Sequence, residues 1–288
     1  MKENTCAVIV TFHPDEKLIS SIEILKEQVG KIIIVDNHSN YRGQIILEKC
    51  KSICNLELIK NKINFGIAAA LNQGINYASD LGYEWALTLD QDTIPFRNII
   101  KIISAVYYEY PKKEVIGGIG VSYVEIEDLN SVQNTMHLYL EKDFLITSGC
   151  LTSISAFKKV GGFRDDLFID HVDDEFSLRL KKNGYTSLLT VNPGMIHEIG
   201  FPKKITLLGF TLSSSNHNAQ RKFYKARNQI ILIKEYILIF PYFILKSAFF
   251  FMLDIFGTLL LENDRVLKLK LTLKGIYSGL FYKNPNRN

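Results

Sequence analysis

The stretch Leu87-Thr88-Leu89-Asp90-Gln91-Asp92 decides the fold, because an apolar run typical of a buried strand ends there in two carboxylates. Residues i and i+2 of an extended chain lie on the same side, so Asp90 and Asp92 are predicted to face together. A divalent cation with oxygen ligands relieves the repulsion between two such charges. The carboxyl end of a strand in an open α/β sheet is also where ligands bind. A lone Asp-x-Asp pattern is equally typical of a solvated acidic turn, so the surrounding sequence has to distinguish a cation site from such a turn.

The segments around this stretch alternate between strands and helices. Strands are predicted over residues 6–11, 31–35, 56–59 and 84–89, and helices over residues 15–28, 45–54 and 67–79. This alternation is typical of a parallel sheet with helices on both faces. Farther along, we predict strands within 115–124 and 151–155 and a helix over 173–183, whose acidic first turn and basic last turn match the helix dipole. The predicted fold class is α/β.

The composition is that of an ordinary globular protein. The 288 residues are 47% hydrophobic and 22% charged, which suffices for one large or two small cores. The net charge of +4 is too small to indicate a nucleic-acid partner. The four cysteines, at positions 6, 50, 54 and 150, form no Cys-x-x-Cys pair and have no histidine at metal-ligand spacing. We therefore expect reduced, mostly buried thiols.

The two ends of the sequence indicate where the protein acts. The polar residues 1–5 and the short apolar run 6–12 do not have the pattern of a signal peptide, so we expect a cytoplasmic catalytic face. Toward the other end, Ile, Leu, Phe and Tyr dominate residues 230–261, and Pro241 is expected to kink this segment.

We predict that this C-terminal segment lies in a membrane interface. Its longest uncharged runs, 236–245 and 247–253, are shorter than the roughly 20 residues that a membrane-spanning helix needs. Basic residues precede it, which favours contact with a lipid surface; they are Lys203, Lys204, Arg221, Lys222, Lys225 and Arg227. The alternative is a buried helical hairpin that completes the core. The predicted domains are residues 1–215, which bind the substrate and catalyse, and residues 216–288, which associate with the membrane.

Several short polar segments follow the predicted strands in a fixed order. They are Thr11-Phe12, Asp36-Asn37, Asn64-Phe65-Gly66 with the helix up to Gly74, Asp90-Gln91-Asp92, Ser148-Gly149-Cys150, Phe168 to Glu175, and His197 to Gly200. Together they resemble the family-2 inverting glycosyltransferases of the GT-A fold, and most closely the bacterial rhamnosyltransferases, over roughly residues 5 to 235. The resemblance implies a Rossmann-like, mostly parallel central sheet flanked by helices, with a C-terminal helical tail.

Three residues are predicted to hold a divalent cation, Mn²⁺ or Mg²⁺. Sugar transfer from a nucleoside diphosphate requires the departing diphosphate to be neutralised, which such a cation does as a Lewis acid. Asp92 is the expected direct ligand, and Asp90 acts beside it on the ribose or through water. The resemblance implies that His197 is the third group at the metal or diphosphate. The alternative for His197 is a structural histidine.

Inverting transfer also needs a base for the proton of the acceptor hydroxyl, and Asp173 is our choice. The family carries its base two residues ahead of an apolar helix, and Asp173 stands two residues ahead of Glu175. A carboxylate at a helix N-terminus stays ionised because the dipole favours its charge. The family usually has Glu-Asp here, whereas this chain has Val172-Asp173, which leaves Asp174 as a rival base. The alternative is that these acids only cap the helix.

Nucleotide recognition is assigned to the ends of the first strands. Thr11 can hydrogen-bond the base or ribose, and Asp36 can accept from a pyrimidine N3–H. By resemblance, Asn64 and Gly66 form a loop over the base and diphosphate, and Gly66 opens a helix whose N-terminus favours an anion. Asn64 can also be the N-cap of that helix. Gly149 is assigned to the sugar pocket by resemblance.

The expected function is inverting transfer of a sugar to a lipid-linked glycan in cell-surface polysaccharide synthesis, peripheral to the inner face of the plasma membrane. The expected donor is dTDP-L-rhamnose, and a UDP-hexose is the alternative. A non-catalytic nucleotide-sugar-binding scaffold is disfavoured, because a scaffold has no need of the acids and the histidine. A nucleotidyltransferase is disfavoured because Phe12 to Asp15 lacks a Gly-rich, basic phosphate loop.

Overall fold

The computed structural model describes residues 1–124, 137–197, 203–207 and 210–284, the backbone alone for residues 203–207 and 210–213. The chain divides into two compact units. The N-terminal unit comprises Met1–Phe168 and Val172–Glu198, and the C-terminal unit comprises Ile169–His171 and Ile199–Asn288. By contacts, residues 199–215 therefore group with the C-terminal helices, whereas the functional boundary after residue 215 stays a prediction.

The first half of the N-terminal unit forms as its alternating pattern predicts. Its strands are β1 (Thr5–Thr11), β2 (Lys31–Asp36), β3 (Glu57–Lys60) and β4 (Trp85–Asp90). They pair in parallel in the order β3-β2-β1-β4. Parallel strands need helical crossovers, which are α1 (Lys17–Leu25), α2 (Tyr41–Ile53) and α3 (Ile67–Asp80). Consequently, the polar residues at the ends of β1, β2 and β4 meet at one edge of the sheet.

The first four strands are all parallel, as predicted, whereas beyond β4 the sheet contains both parallel and antiparallel pairs. The remaining strands are β5 (Ile94–Pro95), β6 (Ile116–Val124), β7 (Tyr139–Lys142), β8 (Cys150–Ser153) and β9 (Thr186–Ile196). Strand β8 lies antiparallel between β4 and β6, and β9 pairs in parallel with β6. This order brings residues 148–150 and the end of β9 beside the carboxyl end of β4.

Helices cover the sheet and bury its apolar side chains. The remaining helices of this unit are α4 (Ile99–Glu109), α5 (Ile154–Val160) and α6 (Val172–Lys182). Ile9, Ile34 and Leu87 are at most 1% exposed, as expected for strands covered on both faces. Cys6, Cys50 and Cys150 are buried and Cys54 is half-buried, so the prediction of mostly buried thiols is confirmed.

The C-terminal unit combines a β-hairpin with three helices among its described residues. Strands β10 (Lys203–Leu207) and β11 (Phe210–Ser214) pair antiparallel, and the helices are α7 (Ala219–Tyr236), α8 (Pro241–Leu261) and α9 (Arg265–Leu280). Glycines let α9 approach α7: a Cβ added at Gly275 would lie 2.3 Å from the carbonyl oxygen of Phe223.

The predicted kink at Pro241 takes the form of a helix boundary, because α7 ends at Tyr236 and Pro241 stands in the first turn of α8. Proline is favoured there, since it fixes a helical φ and the first turn leaves amide hydrogens unused in any case. The uninterrupted α8 is also longer than the uncharged runs suggested. Among the described residues, it is the one helix whose length and apolar composition would suffice to cross a membrane.

Candidate active site

The side chains predicted to bind a cation converge at the carboxyl end of β4. One ligand atom from each of Asp90, Asp92 and His197 can be chosen so that all three lie within 4.8 Å of one another. Asp92 is exposed, whereas Asp90 and His197 are half-buried. Two carboxylates and an imidazole at this separation suit a divalent cation such as Mn²⁺. The donor set therefore fits the predicted metal. Three of the four residues of the motif at 197–200 lie outside the described residues.

A chain of buried hydroxyl groups joins two of these ligands. The Thr93 hydroxyl lies 2.9 Å from Nδ1 of His197 and 2.7 Å from the Ser148 hydroxyl. The Ser148 hydroxyl in turn accepts a hydrogen bond from the Asp90 amide at 3.1 Å. Thr93 is 0% and Ser148 2% exposed, so water does not compete for these bonds. A partner on Nδ1 fixes the ring orientation and leaves Nε2 as the other nitrogen available to a metal.

Sequence reasoning assigned no role to Thr93 and missed this chain. A threonine that follows an Asp-x-Asp motif has no recognised role from sequence alone. The partner of Thr93, His197, lies 104 residues farther along the chain. The one signal available was that Thr93 directly follows Asp92, the predicted metal ligand.

Gln91, between the two acids, ties the end of β4 to the end of β1. Its side-chain oxygen accepts a hydrogen bond from the Phe12 amide at 2.7 Å, and its side-chain nitrogen donates to the Phe12 carbonyl at 3.2 Å. The side-chain amide thus pairs with one backbone residue as a neighbouring strand would. This bond pair fixes the loop that carries the two acids.

The proposed nucleotide residues at the ends of β1 and β2 are bonded to each other. Asp36 is 1% exposed, and its carboxylate accepts hydrogen bonds from the Thr11 hydroxyl at 3.1 Å and from Gln44 at 2.7 Å. The amide and hydroxyl of Ser39 also donate to it. Thr11 is itself 0% exposed. In this structure Thr11 therefore orients Asp36, and contact of either residue with a nucleotide stays a prediction.

The loop before α3 adopts the tight conformation that its glycine permits. Gly66 is the N-cap of α3 with a φ of 88°, and the side chain of Asn64 accepts a hydrogen bond from its amide at 2.8 Å. The suggestion that Asn64 itself is the N-cap is therefore wrong by two residues. The Ile67 amide donates to the Phe168 carbonyl at 2.8 Å, and a Cβ at Gly66 would lie 2.5 Å from that oxygen.

The acids before and within α6 have different partners. Glu175 is 1% exposed and accepts bonds from Arg179, which also donates to the carbonyls of Val160 and Gly162 at 2.6 and 2.7 Å. This anchor explains Glu175 structurally. Asp173 and Asp174 stand half-buried in the first turn of α6, and the Asp174 amide donates to Asp173 at 3.0 Å.

Within the C-terminal unit, Asp170 also has a structural partner. Its carboxylate accepts two hydrogen bonds at 3.1 Å from Arg221, and Asn228 donates to its carbonyl at 2.9 Å. Asp170 and His171 both have a φ above 60°. The carboxylates of Asp170 and Glu175 are therefore engaged with arginines. Asp173 and Asp174 are left as the candidates for the catalytic base.

The segment around Gly149 packs tightly under the site. Gly149 has a φ of 72°, and a Cβ there would lie 2.4 Å from the sulfur of Met195. Its neighbour Cys150 lines a small cavity together with Asp173 and Ser177. Burial raises the pKa of the Cys150 thiol to about 12, and the nearby Asp173 charge acts in the same direction. Cys150 therefore lines this cavity as an uncharged thiol. Contact of Gly149 with a sugar stays a prediction.

Comparison with known proteins identifies the family. The family model for glycosyl transferase family 2 matches residues 6–166, more than half of the chain. The dTDP-rhamnosyl transferase RfbF of Shigella flexneri is 30% identical over 248 residues, which are 82% of this chain and 81% of that protein.

Solved structures agree on the fold. S. aureus TarS 1–349 superposes with a TM-score of 0.63 at 14% identity, over 97% of this chain and 81% of that one. The mannosyltransferase PcManGT from Pyrobaculum calidifontis, solved with GDP-Man and Mn²⁺, gives 0.58 at 12% identity, over 99% and 77% of the two chains. The predicted GT-A α/β fold is confirmed.

The chain belongs to glycosyl transferase family 2. It is a glycosyltransferase, similar over most of its length to a rhamnosyltransferase. The sequence-based resemblance to family-2 enzymes and to rhamnosyltransferases is confirmed.

Proposed function

We propose that the protein transfers L-rhamnose from dTDP-L-rhamnose to a lipid-linked glycan, with inversion at the anomeric carbon. The observation that carries the proposal is the convergence of Asp90, Asp92 and His197 at the strand edge. The likeness to RfbF over 82% of the chain supports the choice of donor. Fold alone does not identify a substrate, so the donor needs its own test.

Asp92, Asp90 and His197 would hold Mn²⁺ or Mg²⁺ beside the donor diphosphate. When bound, the cation supplies positive charge that stabilises the departing diphosphate. Thr93 keeps His197 in one orientation through its bond to Nδ1. Gln91 holds the loop that carries the two acids against Phe12, so that the donor meets ligands already in place.

Asp173 is the proposed base. The acceptor hydroxyl oxygen attacks the anomeric carbon, the bond from that carbon to the diphosphate oxygen breaks, and the hydroxyl proton passes to the Asp173 carboxylate. The first turn of α6 favours the ionised carboxylate before the step. Asp174 remains the rival for this role.

Asp36 and Thr11 are proposed to bind the pyrimidine, and Asn64 and Gly66 to pass over the base and diphosphate. Asp36 would accept the N3–H in exchange for one of its present donors. The acceptor would be presented at the inner face of the plasma membrane, where the C-terminal helices associate with lipid. Their exposed apolar side chains support this location.

Donor hydrolysis and binding test the proposal, using dTDP-rhamnose, UDP-glucose, UDP-galactose and UDP-N-acetylglucosamine with Mn²⁺ or with EDTA. We expect metal-dependent preference for dTDP-rhamnose. Preference for a UDP-sugar would remove rhamnose and keep the mechanism. If no donor bound in a metal-dependent manner, the proposed metal site would be wrong.

A further inference from the structure

We infer that α8 and α9 lie in the plane of an anionic lipid surface, with their exposed apolar and basic side chains turned to the lipid. This inference rests on the proposed action at a membrane, and it adds the lipid class, the contacting residues and the orientation of α8.

One side of α8 is apolar and exposed. The spacing of its members is three or four residues, which places them along a single stripe of the helix; they are Tyr242, Leu245, Phe249, Met252, Phe256 and Leu260. Each is at least 51% exposed. Soluble monomers rarely expose a continuous apolar stripe of this size. Only 22% of the most apolar window of α8 is buried, which argues against the alternative of a core hairpin.

The exposed side of α9 is both apolar and basic. Val266, Leu273 and Tyr277 are at least 66% exposed, and the exposed Lys270 and Lys274 stand among them. The sequence of α9 contains no acidic residue. This combination is typical of helices that lie on anionic membranes, because apolar side chains enter the boundary while lysines pair with headgroups.

The acids of α8 and of its end are hidden from this surface. Asp254 is 9% exposed and bonds Lys222 and Lys225 of α7, each at 3.0 Å. Glu262 is 4% exposed and bonds Lys222 at 2.9 Å and Lys268 of α9 at 2.5 Å. Burial of these acids leaves mainly positive charge outside.

From Pro241 to Lys283, the described charged side chains that remain exposed are basic apart from one acid. They are Lys246, Arg265, Lys270, Lys274 and Lys283, with Asp264 as the acid. This charge balance fits an anionic surface and disfavours a second copy of the chain, whose own basic face would repel it.

The ion pairs of Asp254 with Lys222 and Lys225 indicate that α8 lies along the membrane surface and does not cross the bilayer. Asp254 lies about two-thirds of the way along α8, so a spanning helix would place it within the hydrocarbon. Its partners Lys222 and Lys225 would have to enter with it or leave an unpaired charge there, and both alternatives are costly. An in-plane α8 keeps these bonds on its protein side.

Flotation of the full chain with vesicles tests the lipid class. Vesicles of phosphatidylcholine alone are compared with vesicles that also contain phosphatidylglycerol, without any donor present. We expect binding to depend on phosphatidylglycerol and to weaken with salt. The double variant Lys270→Gln/Lys274→Gln should bind roughly 30-fold more weakly, because each basic residue near the surface contributes about fivefold.

The matched control is Lys101→Gln/Lys158→Gln, which removes the same charge from exposed helical positions of the N-terminal unit. It should bind as the unchanged protein does. Equal binding to both vesicle types would overturn the anionic preference. Dimerisation in solution without vesicle binding would show that a second copy covers the surface.

Depth-dependent quenching by brominated lipids tests the orientation. Tryptophan is introduced singly by Tyr242→Trp, Phe249→Trp and Leu260→Trp, with the buried Trp85 as the shared background. An in-plane helix gives the same shallow depth at all three positions. A deep maximum at residue 249 with shallow ends would instead show a spanning helix and overturn the inference. Turnover of dTDP-rhamnose with a soluble acceptor is measured separately, so failure of the donor proposal is distinguishable from failure here.

Discussion

The hydroxyl of Thr93 lies 2.9 Å from Nδ1 of His197, although the two residues are separated by 104 positions in the chain. Through Ser148, the same hydroxyl is connected to the backbone amide of Asp90. The buried Thr93 thus contacts one proposed metal ligand, His197, directly and is connected to a second, Asp90, through Ser148.

We expect Thr93→Val to weaken Mn²⁺ binding roughly 10- to 100-fold, as loss of an outer-shell partner does in other metal sites. The methyl group keeps the volume and removes the hydroxyl. Calorimetry or electron paramagnetic resonance of Mn²⁺ without donor measures the change. Thr93→Ser should retain most of the affinity of the unchanged protein, because serine keeps the hydroxyl.

Thr5→Val is the matched control. Thr5 is a buried threonine at the opposite end of the strands and is bonded to the Met1 carbonyl at 2.9 Å. Equal Mn²⁺ affinity of Thr93→Val and the unchanged protein would contradict this role.

Asp173→Asn should lower the rate of transfer by about 10²- to 10⁴-fold while donor binding stays unchanged, because the amide cannot accept the acceptor proton. Single-turnover transfer and equilibrium binding of dTDP-rhamnose measure the two effects separately. Asp174→Asn is the matched control one residue along the same helix turn. A fully active Asp173→Asn together with an inactive Asp174→Asn would move the base to Asp174.

Gly66→Ala should destabilise the protein by about 1–3 kcal/mol more than Gly82→Ala does. Both glycines have a positive φ, 88° at Gly66 and 85° at Gly82, and the ψ of 168° at Gly66 adds backbone strain to any other residue there. The added Cβ at Gly66 meets the Phe168 carbonyl oxygen at 2.5 Å, whereas the Cβ at Gly82 meets nothing within 4 Å. Urea unfolding of the two variants measures the difference. Equal midpoints would show that the Phe168 loop moves aside freely.

Acidification should weaken the C-terminal unit below about pH 4.5. Burial would raise the pKa of Glu262, but hydrogen bonds from Lys268, Ser214 and Lys222 lower it from 4.5 to about 2. Because the folded pKa is depressed, the stabilisation is complete above 4.5 and is lost as the pH falls toward 2. Asp254 contributes in the same direction, since Lys225 and Lys222 outweigh the effect of burial and hold its pKa below the usual range.

Thermal unfolding from about pH 6 to about pH 3 measures this effect. Glu262→Gln should be less stable than the unchanged protein near neutrality and should lose less on acidification. A variant whose melting temperature fell as steeply as that of the unchanged protein would rule out Glu262 as a source of the pH dependence.

The strands and helices up to residue 92, and the proximity of the two acids at 90 and 92, were predictable because their signals are local. Each strand from β1 to β4 is a short apolar run that ends in polar residues, and parallel pairing follows from the intervening helices. The proximity of Asp90 and Asp92 follows from strand geometry alone. His197 was placed by resemblance, since no local pattern links it to residue 90.

The features that were missed depend on partners far away in sequence. Strand β8 is inserted antiparallel between β4 and β6, and the hydrophobic pattern of its four residues does not indicate this direction. No local pattern shows which cations pair with the carboxylates of Asp254 and Glu262. In the structure both acids pair with Lys222, which lies 32 and 40 residues earlier in the chain.

The position of His197 has a consequence for how the protein folds. Asp90 and Asp92 belong to a part of the sheet built from strands β1 to β4, all of which precede residue 91 in the chain. His197 joins them only after β6, β8 and β9 have paired, because β9 ends at Ile196. Newly made chains that lack the end of β9 would therefore have a partly formed sheet but no complete cation site. With the cation held as proposed, manganese affinity would report whether synthesis and folding of the catalytic unit have been completed, independently of any sugar substrate.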